Sequence, residues 1–326
     1  MNILIIGGGW VGCHLAMKLR DKHNITIFDK NIELFCETSF KNQNRLHYGF
    51  HYPRNHRTRM LCKDTYQKFI DEYGFLVEDV KNNVYCVPNK SLIDFDTFKT
   101  IFRDFEYDIY NDKFSTDGCI KTKEKFINYR VAKEFFNKEL KHLFKQIKVD
   151  TIEELKNNYD LILNCTNNNI PSDNGYFYEL TISLIIEKIK DINFDSLTLM
   201  DGKFFSIYPY DNNLFTLTDV EYTPFRKFKN INDLEVVKKE INDNVISDIK
   251  NKMFNKVNEY FPIDEYFTYK DYFLSLKVKN ISESDDRYPT IIKNDNVVNI
   301  YTGKIQGIFT IEEYIKNLIN ENTTLL

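Results

Sequence analysis

Cysteine is sparse in this chain: Cys13, Cys36, Cys62, Cys86, Cys119 and Cys165 are scattered through 326 residues with no C-x-x-C pair. That scatter argues against a zinc-binding knuckle or a disulfide framework, so the six are read as reduced thiols and no metal site is expected. An excess of one charge is also missing. Lys and Arg total 44 against 48 Asp and Glu, a net charge of −4, which gives no electrostatic reason to expect a nucleic-acid partner. No apolar run approaches the ~18 residues of a membrane helix. No basic stretch precedes the N-terminal "ILII", so the reading expects no membrane span and a cytoplasmic location. Glycine is scarce at 11 residues, and four of these, Gly7, Gly8, Gly9 and Gly12, fall within the first twelve positions. Large aromatic side chains are plentiful instead: 27 Phe and 21 Tyr supply a sizeable core. The length suggests two lobes, and no repeat, heptad run or low-complexity linker divides them, so they are expected to be interwoven.

The early glycines form a pattern. "NILIIGGGWVGCHLAMKL" reads as a buried strand over Ile3 to Ile6, a turn, and a helix from near Trp10. Gly7, Gly9 and Gly12 fit G-x-G-x-x-G, and Ala16 is small enough to let the helix lie close to the sheet. Gly7 permits the tight turn, Gly9 has no Cβ to block a pyrophosphate, and the helix N-terminus offers N–H groups at a positive dipole end. The next strand, "NITIFDK", ends in Asp29, 17 residues beyond Gly12, where a carboxylate can accept from ribose hydroxyls. Strand, glycines, helix, strand and acid in register point to an adenine dinucleotide. They do not separate FAD from NAD.

About ten residues past that acid lies "ETSFKNQNRLHYGFHYPRNHRTRMLC", polar and aromatic and unsuited to a core strand. It resembles a segment of the L-2-hydroxyglutarate dehydrogenases, members of the D-amino-acid oxidase superfamily of FAD-dependent oxidoreductases, at Thr38, Ser39, Asn42, His47, Gly49, Tyr52, Pro53, Leu61 and Cys62. "YDLILNCTNNN" is similar to a later strand of that superfamily, with Asn167 where a glycine is usual. Asn tolerates a left-handed backbone, so the turn is expected to survive. "VVNIYTGKIQGIFTIEEYIKNLI" resembles its closing strand, glycine loop and helix. The resemblance implies FAD as cofactor, with a small-molecule substrate and O2 or another electron acceptor. It implies an α/β fold in which a Rossmann-type FAD-binding domain (residues 1–75, 130–172 and 290–326) is interwoven with a mixed or antiparallel-sheet α+β substrate domain (76–129 and 173–289).

The positions it assigns to the cofactor are Gly7, Gly9, Trp10, Val11, Gly12, Asp29, Lys30, Thr38, Ser39, Asn44, Arg45, Leu46, His47, Cys165, Thr166, Gly303, Lys304 and Ile305. Gly303 and Gly307 are expected to bring backbone N–H groups to the flavin edge. Thr310 with Glu313 reads as a capping box, so the last helix is expected to start just after Phe309.

Oxidation of a C–OH or C–N bond needs a proton acceptor and, for a small anionic metabolite, an anchor. His47 is the first choice of base, with His51 second, because an imidazole titrates near neutral pH. A structural, hydrogen-bonded role is the rival reading for both. His14, His23, His56 and His142 read as structural or solvated. Arg287 is the expected anchor, since a guanidinium grips a carboxylate through two hydrogen bonds, with an ion pair to Asp285 or Asp286 as its rival. Arg45 is the alternative. Tyr208 and Tyr222, on a hairpin predicted around Asp211 to Asn213, could wall the pocket. The other readings are an NAD-dependent Rossmann reductase, and a flavin-binding protein with mutase-like or degraded activity.

Farther along, "NNVYCVP" is predicted as a strand. "NYRVAKEFFNKELKHLF" is predicted as a helix with an apolar stripe at Val131, Phe135, Phe136, Leu140 and Leu143. Residues 232–260 are predicted helical, and "YFTYKDYFLSLKVK" is predicted as a strand.

Overall fold

The computed structural model describes residues 1–111, 114–170, 175–280 and 286–324. Asp173, at the expected domain boundary, and Asp285, one of the two acids expected beside Arg287, lie outside the described residues. The fold begins with β1 (Asn2–Ile6), α1 (Trp10–Leu19) and β2 (Asn24–Asp29), the predicted unit. A six-stranded sheet runs in the order 290–294, 297–301, 161–164, β1, β2, 144–146. Its pairings are parallel except at the edge, where Thr290–Asn294 turns back on Val297–Tyr301. Near-continuous runs of Ile, Leu and Val suit strands buried on both faces. Ile3, Ile5, Leu163 and Val298 are fully buried and pack with α1, the helix α2 (His56–Tyr73) and the C-terminal helix Ile308–Thr324.

A second, mixed sheet contains nine strands, mostly antiparallel. Its centre is the long pair Tyr176–Lys188 and Phe267–Asn280, in antiparallel register from Tyr176↔Asn280 to Lys188↔Phe267. The helix Asp243–Asn258 covers this sheet through Ile246, Ile249, Met253 and Val257, four positions on one helical face. A small three-stranded sheet runs in the order 45–46, 125–127, 77–79. The predicted hairpin is present as Phe205–Asp211 and Leu214–Asp219, turning at Asn212 with φ +46°.

Four expectations need correcting. Cys86 and Cys119 are directly opposite each other on neighbouring antiparallel strands and form a disulfide, so only Cys13, Cys36, Cys62 and Cys165 are free. Their separation of 33 residues hid a contact that sheet register creates. The last helix starts at Ile308, continuing a 3₁₀ turn over Ile305–Gly307, so Thr310 lies inside it and caps nothing. In the helix Tyr129–Leu140 the buried face is Tyr129, Ala132, Phe136 and Leu140, while Val131 is exposed. The stretch 232–260 is two helices, Leu234–Lys239 and Asp243–Asn258, the second capped by Asn242 accepting from the Val245 N–H. Among the described residues, no helix is long and apolar enough to cross a membrane.

Candidate functional site

The glycine turn is built from backbone contacts. Gly7 has φ +101°, and a Cβ there would lie 2.8 Å from the Cys165 carbonyl oxygen; on Gly12 it would lie 1.9 Å from the Gly7 oxygen. Neither position can carry a side chain without moving the parallel strands β1 and Leu161–Asn164. Gly9, the residue before α1, offers no side-chain cap, and the first turn contains no acidic residue. By contrast, α2 is capped by Asn55, whose Oδ1 accepts from the Thr58 N–H at 2.9 Å. The start of α1 therefore keeps a positive end that Ser39 approaches from outside the helix, its Oγ accepting from the Trp10 N–H at 3.0 Å. Thr38 ties the same segment to the second sheet by donating to the Leu276 carbonyl at 2.9 Å.

Asp29 ends β2 beside this turn. One carboxylate oxygen accepts from the Gly8 N–H at 2.7 Å and the other from the Asn31 N–H at 2.9 Å. The carboxylate is thus held in place with lone pairs to spare for hydroxyls. Asn167 takes φ +54°, the left-handed conformation expected of it, and Thr166 donates to Asn164 Oδ1 at 2.7 Å. Several expected cofactor positions contribute differently than their neighbours. The Trp10 ring is core, packed on Phe35, Phe69, Tyr73 and Phe136. Val11 and Ile305 pack on the same core, and Leu46 is fully buried in it. Lys30 points to Glu37, 3.2 Å away, on the exposed side. Asn44 has φ +51° and directs its N–H to Asn42 Oδ1 at 2.5 Å, bending the chain ahead of Arg45 and His47.

The other end of the site is made of side chains. His47 is buried, its Nδ1 3.8 Å from Glu124 Oε2. Glu124 is fully buried and accepts from the Tyr48 N–H at 2.6 Å, the Gly49 N–H at 3.2 Å and the Tyr85 hydroxyl. Burial pushes its carboxyl pKa up, against the pull of those donors and of Arg45. The His47 and His51 rings lie 5.4 Å apart, and Tyr52 packs edge-on against both, at 5.8 and 5.3 Å. Lys304 places its ammonium 4.8 Å from the centre of the Tyr52 ring. Gln306 holds the loop by donating to the His47 carbonyl at 2.5 Å and the Cys62 carbonyl at 3.1 Å.

Arg45 is buried above the Tyr208 ring, 3.9 Å from its centre, and donates to Thr198 at 2.8 Å and to Ser206. Arg287 lies against Gly303, where a Cβ would meet its Cδ at 2.8 Å. The Asp286 carboxylate faces Arg57, at 3.2 Å, and Thr58.

The expectation that His47 titrates near neutral pH is corrected by this environment. Burial first, then Lys304, His51 and Arg45, holds its pKa well below the usual imidazole value, and burial with four cations does the same to His51. Both are neutral imidazoles at pH 7. The group that titrates near neutrality is Lys304, which burial pulls down to about 7. His14 is structural, between the Tyr73 hydroxyl at 2.6 Å and Glu312 at 2.9 Å; His56 and His142 are exposed. Tyr222 belongs elsewhere, packed beside Lys256. Sequence reasoning missed Glu124, Tyr85, Gln306 and the position of Lys277. For Glu124, inside the charged run "KTKEKF", no local signal marks burial.

These features fit FAD. The turn presents bare backbone at positions where no Cβ fits, the N-cap residue of α1 brings no side chain, and Asp29 is fixed for hydroxyl contacts. At the far end His47 Nδ1, His51 Nδ1, Arg45 Nε and Gln306 Oε1 are buried without a hydrogen-bond partner.

Comparison with known proteins agrees. The family model described as "FAD dependent oxidoreductase" matches residues 2–95. The chain is 30% identical to the FAD-dependent monooxygenase FPY4 of Fusarium mangiferae, over 98% of this chain and 91% of that one. Its fold matches glycine oxidase of Geobacillus kaustophilus with a TM-score of 0.68 at 9% identity, over 98% and 94% of the two chains. It matches the FAD-bound L-α-glycerophosphate oxidase of Mycoplasma pneumoniae with a TM-score of 0.71 at 12% identity, over 98% and 94%. On its glycine turn, its two-sheet architecture and a relative aligned over nearly its whole length, this chain belongs to the FAD-dependent oxidoreductases of the D-amino-acid oxidase family.

Proposed function

We propose that the protein oxidises a C–OH or C–N bond of a small anionic metabolite, with His47 taking the proton and Arg287 holding the anionic end. The observation that carries this reading is the buried His47–Glu124 pair inside a shell of cations. FAD, when bound, supplies the two-electron acceptor for the substrate hydride. The chain's own residues manage the proton and the charge. A neutral imidazole at pH 7 has an open nitrogen to receive a hydroxyl or amine proton. The imidazolium so formed lies beside a buried carboxylate, which stabilises it in surroundings where water does not. Tyr48, Gly49 and Tyr85 fix that carboxylate. Arg287, across the Gly303 loop, presents a fork to a carboxylate, and Arg45 adds positive potential from behind.

The domain division proposed is residues 1–75, 130–172 and 290–326 for the cofactor, with 76–129 and 173–289 for the substrate. In support, every strand of the six-stranded sheet lies in the first set. The test is a screen of 2-hydroxy acids, amino acids and neutral sugars for anaerobic bleaching of the FAD-loaded protein near 450 nm. Bleaching by anionic compounds is expected; bleaching by neutral sugars alone would overturn the anionic reading.

A second reading comes from the Fusarium mangiferae relative, which is named an FAD-dependent monooxygenase. Under it, one oxygen atom from O2 enters the product and a reductant is consumed. Turnover under labelled O2 separates the two: label in hydrogen peroxide supports the first, label in the product the second.

A further inference from the structure

Residues 286–289 lead into the edge strand Thr290–Asn294, and they are gripped from two sides. One side is the first turn of α2. The Thr58 hydroxyl, on a fully buried residue, accepts from the Arg287 N–H at 2.9 Å and donates to Asp286 Oδ1 at 3.3 Å. The same Oδ1 accepts from the Tyr288 N–H at 3.0 Å. Asp286 Oδ2 accepts from Arg57 at 3.2 Å, and the Arg57 guanidinium lies 3.8 Å from the centre of the Tyr288 ring. Thr58 is itself fixed, because its N–H donates to the capping Asn55 Oδ1 at 2.9 Å.

The other side is the loop before the last helix. A Cβ on Gly303 would lie 2.8 Å from Arg287 Cδ and 3.2 Å from Arg287 Cβ, and one on Gly307 would lie 2.6 Å from Pro289 Cγ. Neither glycine takes a left-handed φ, so it is the close approach of residues 287 and 289 that leaves no space for a side chain at either. Lys304, next to Gly303, holds its ammonium 4.8 Å from the centre of the Tyr52 ring, which packs on His47 and His51. The stem of Arg287 is thereby joined to the histidine end of the site through packed neighbours. A guanidinium recognises a carboxylate only in a paired geometry, so where its backbone and stem are held decides what the fork can meet.

We propose that Thr58 is a positioning residue for Arg287: its hydroxyl fixes the backbone from which the guanidinium meets the anionic end of the substrate, acting through Arg287 rather than on the substrate. This rests on the anionic-substrate reading above. A hydroxyl suits the task because it accepts and donates at once, here from the Arg287 N–H and to Asp286. Valine keeps the shape of threonine and loses both bonds, whereas serine keeps both bonds and loses a methyl group. The two substitutions therefore separate hydrogen bonding from packing.

The experiment titrates the FAD-loaded protein with butyrate and with its neutral analogue butyramide, reading the flavin absorbance change, and takes the ratio of the two affinities. The unaltered protein is expected to prefer butyrate by about ten-fold or more, and Arg287→Met to lose that preference. Thr58→Val should lower the ratio by about five-fold or more through butyrate alone, with butyramide affinity and FAD content unchanged, and Thr58→Ser should keep most of it. If Thr58→Val weakens both probes alike or loses FAD, the threonine is merely structural and the proposal is overturned. Should Thr58→Val not fold, Asp286→Ala loosens the same grip from its more exposed partner, and the same fall in the ratio is expected; an unchanged ratio there overturns the proposal. If Thr58→Val keeps the unaltered ratio while Arg287→Met loses it, the role of Thr58 falls and the anionic reading stands. If the unaltered protein does not prefer butyrate, or Arg287→Met keeps the preference, the anchor assigned to Arg287 falls, and this inference with it.

Discussion

At the Gly7–Gly12 turn the surface offered to a ligand is backbone, and the nearest side chains, Ser39 and Asp29, make single well-placed contacts with N–H groups. At the His47 end the surface is side chains drawn from segments as distant as Arg45, Glu124, Lys277 and Lys304, and charge rather than shape dominates. The first end offers the backbone features that an adenine dinucleotide would meet; the second offers the side chains that would meet a substrate. A backbone cradle tolerates almost no substitution because a Cβ has nowhere to go. A charged cluster tolerates substitution structurally and answers in pH dependence and substrate choice.

The comparison can be broken most severely at Gly12. Gly12→Val puts a branched side chain where even a Cβ would lie 1.9 Å from the Gly7 oxygen, so soluble protein with bound FAD should be nearly absent. A variant that purifies yellow and folded would show that the turn has slack. Glu124→Ala comes next. It strands the Tyr48 and Gly49 N–H groups and the Tyr85 hydroxyl in the interior, a loss on the order of 3 kcal/mol, readable as a lower denaturant midpoint. Asp29→Arg removes the charged acceptor at the ribose end and leaves the turn in place, so FAD affinity should fall by about 10- to 100-fold without unfolding. Unchanged affinity would detach the acid from the cofactor.

The smallest effect is electrostatic. In FAD-free protein the folded state holds Lys304 at about 7, below its unfolded value, so between those two values the unfolded chain binds more protons. Stability should therefore rise with pH from about 7 toward 10, and Lys304→Met should flatten that part of the slope. A wild-type slope unchanged in the variant would place the titration elsewhere.

How much of this was readable from residues alone follows the same division. The β1–α1–β2 unit was legible because its constraints are local: glycine spacing, a helix start and an acid at a strand end. Asn167 was legible for the same reason, as a residue type suited to φ > 0. The Cys86–Cys119 bridge and the burial of Glu124 were not, because each depends on which strands become neighbours. The start of the last helix was misplaced by three residues at most, since a 3₁₀ turn winds into it before the Thr310 signal. His47 was singled out, but its protonation was misjudged, because burial first, and then the cations Lys304 and Arg45, act on it only in the folded chain.

The central claim is that His47 handles the substrate proton while the glycine turn and Asp29 retain the cofactor. Anaerobic stopped-flow reduction of His47→Asn, with FAD content measured on the same sample, tests it most directly. Full FAD content and a rate of flavin reduction lower by ~10²–10⁴ are predicted. Full FAD content with reduction at the unaltered rate would contradict it.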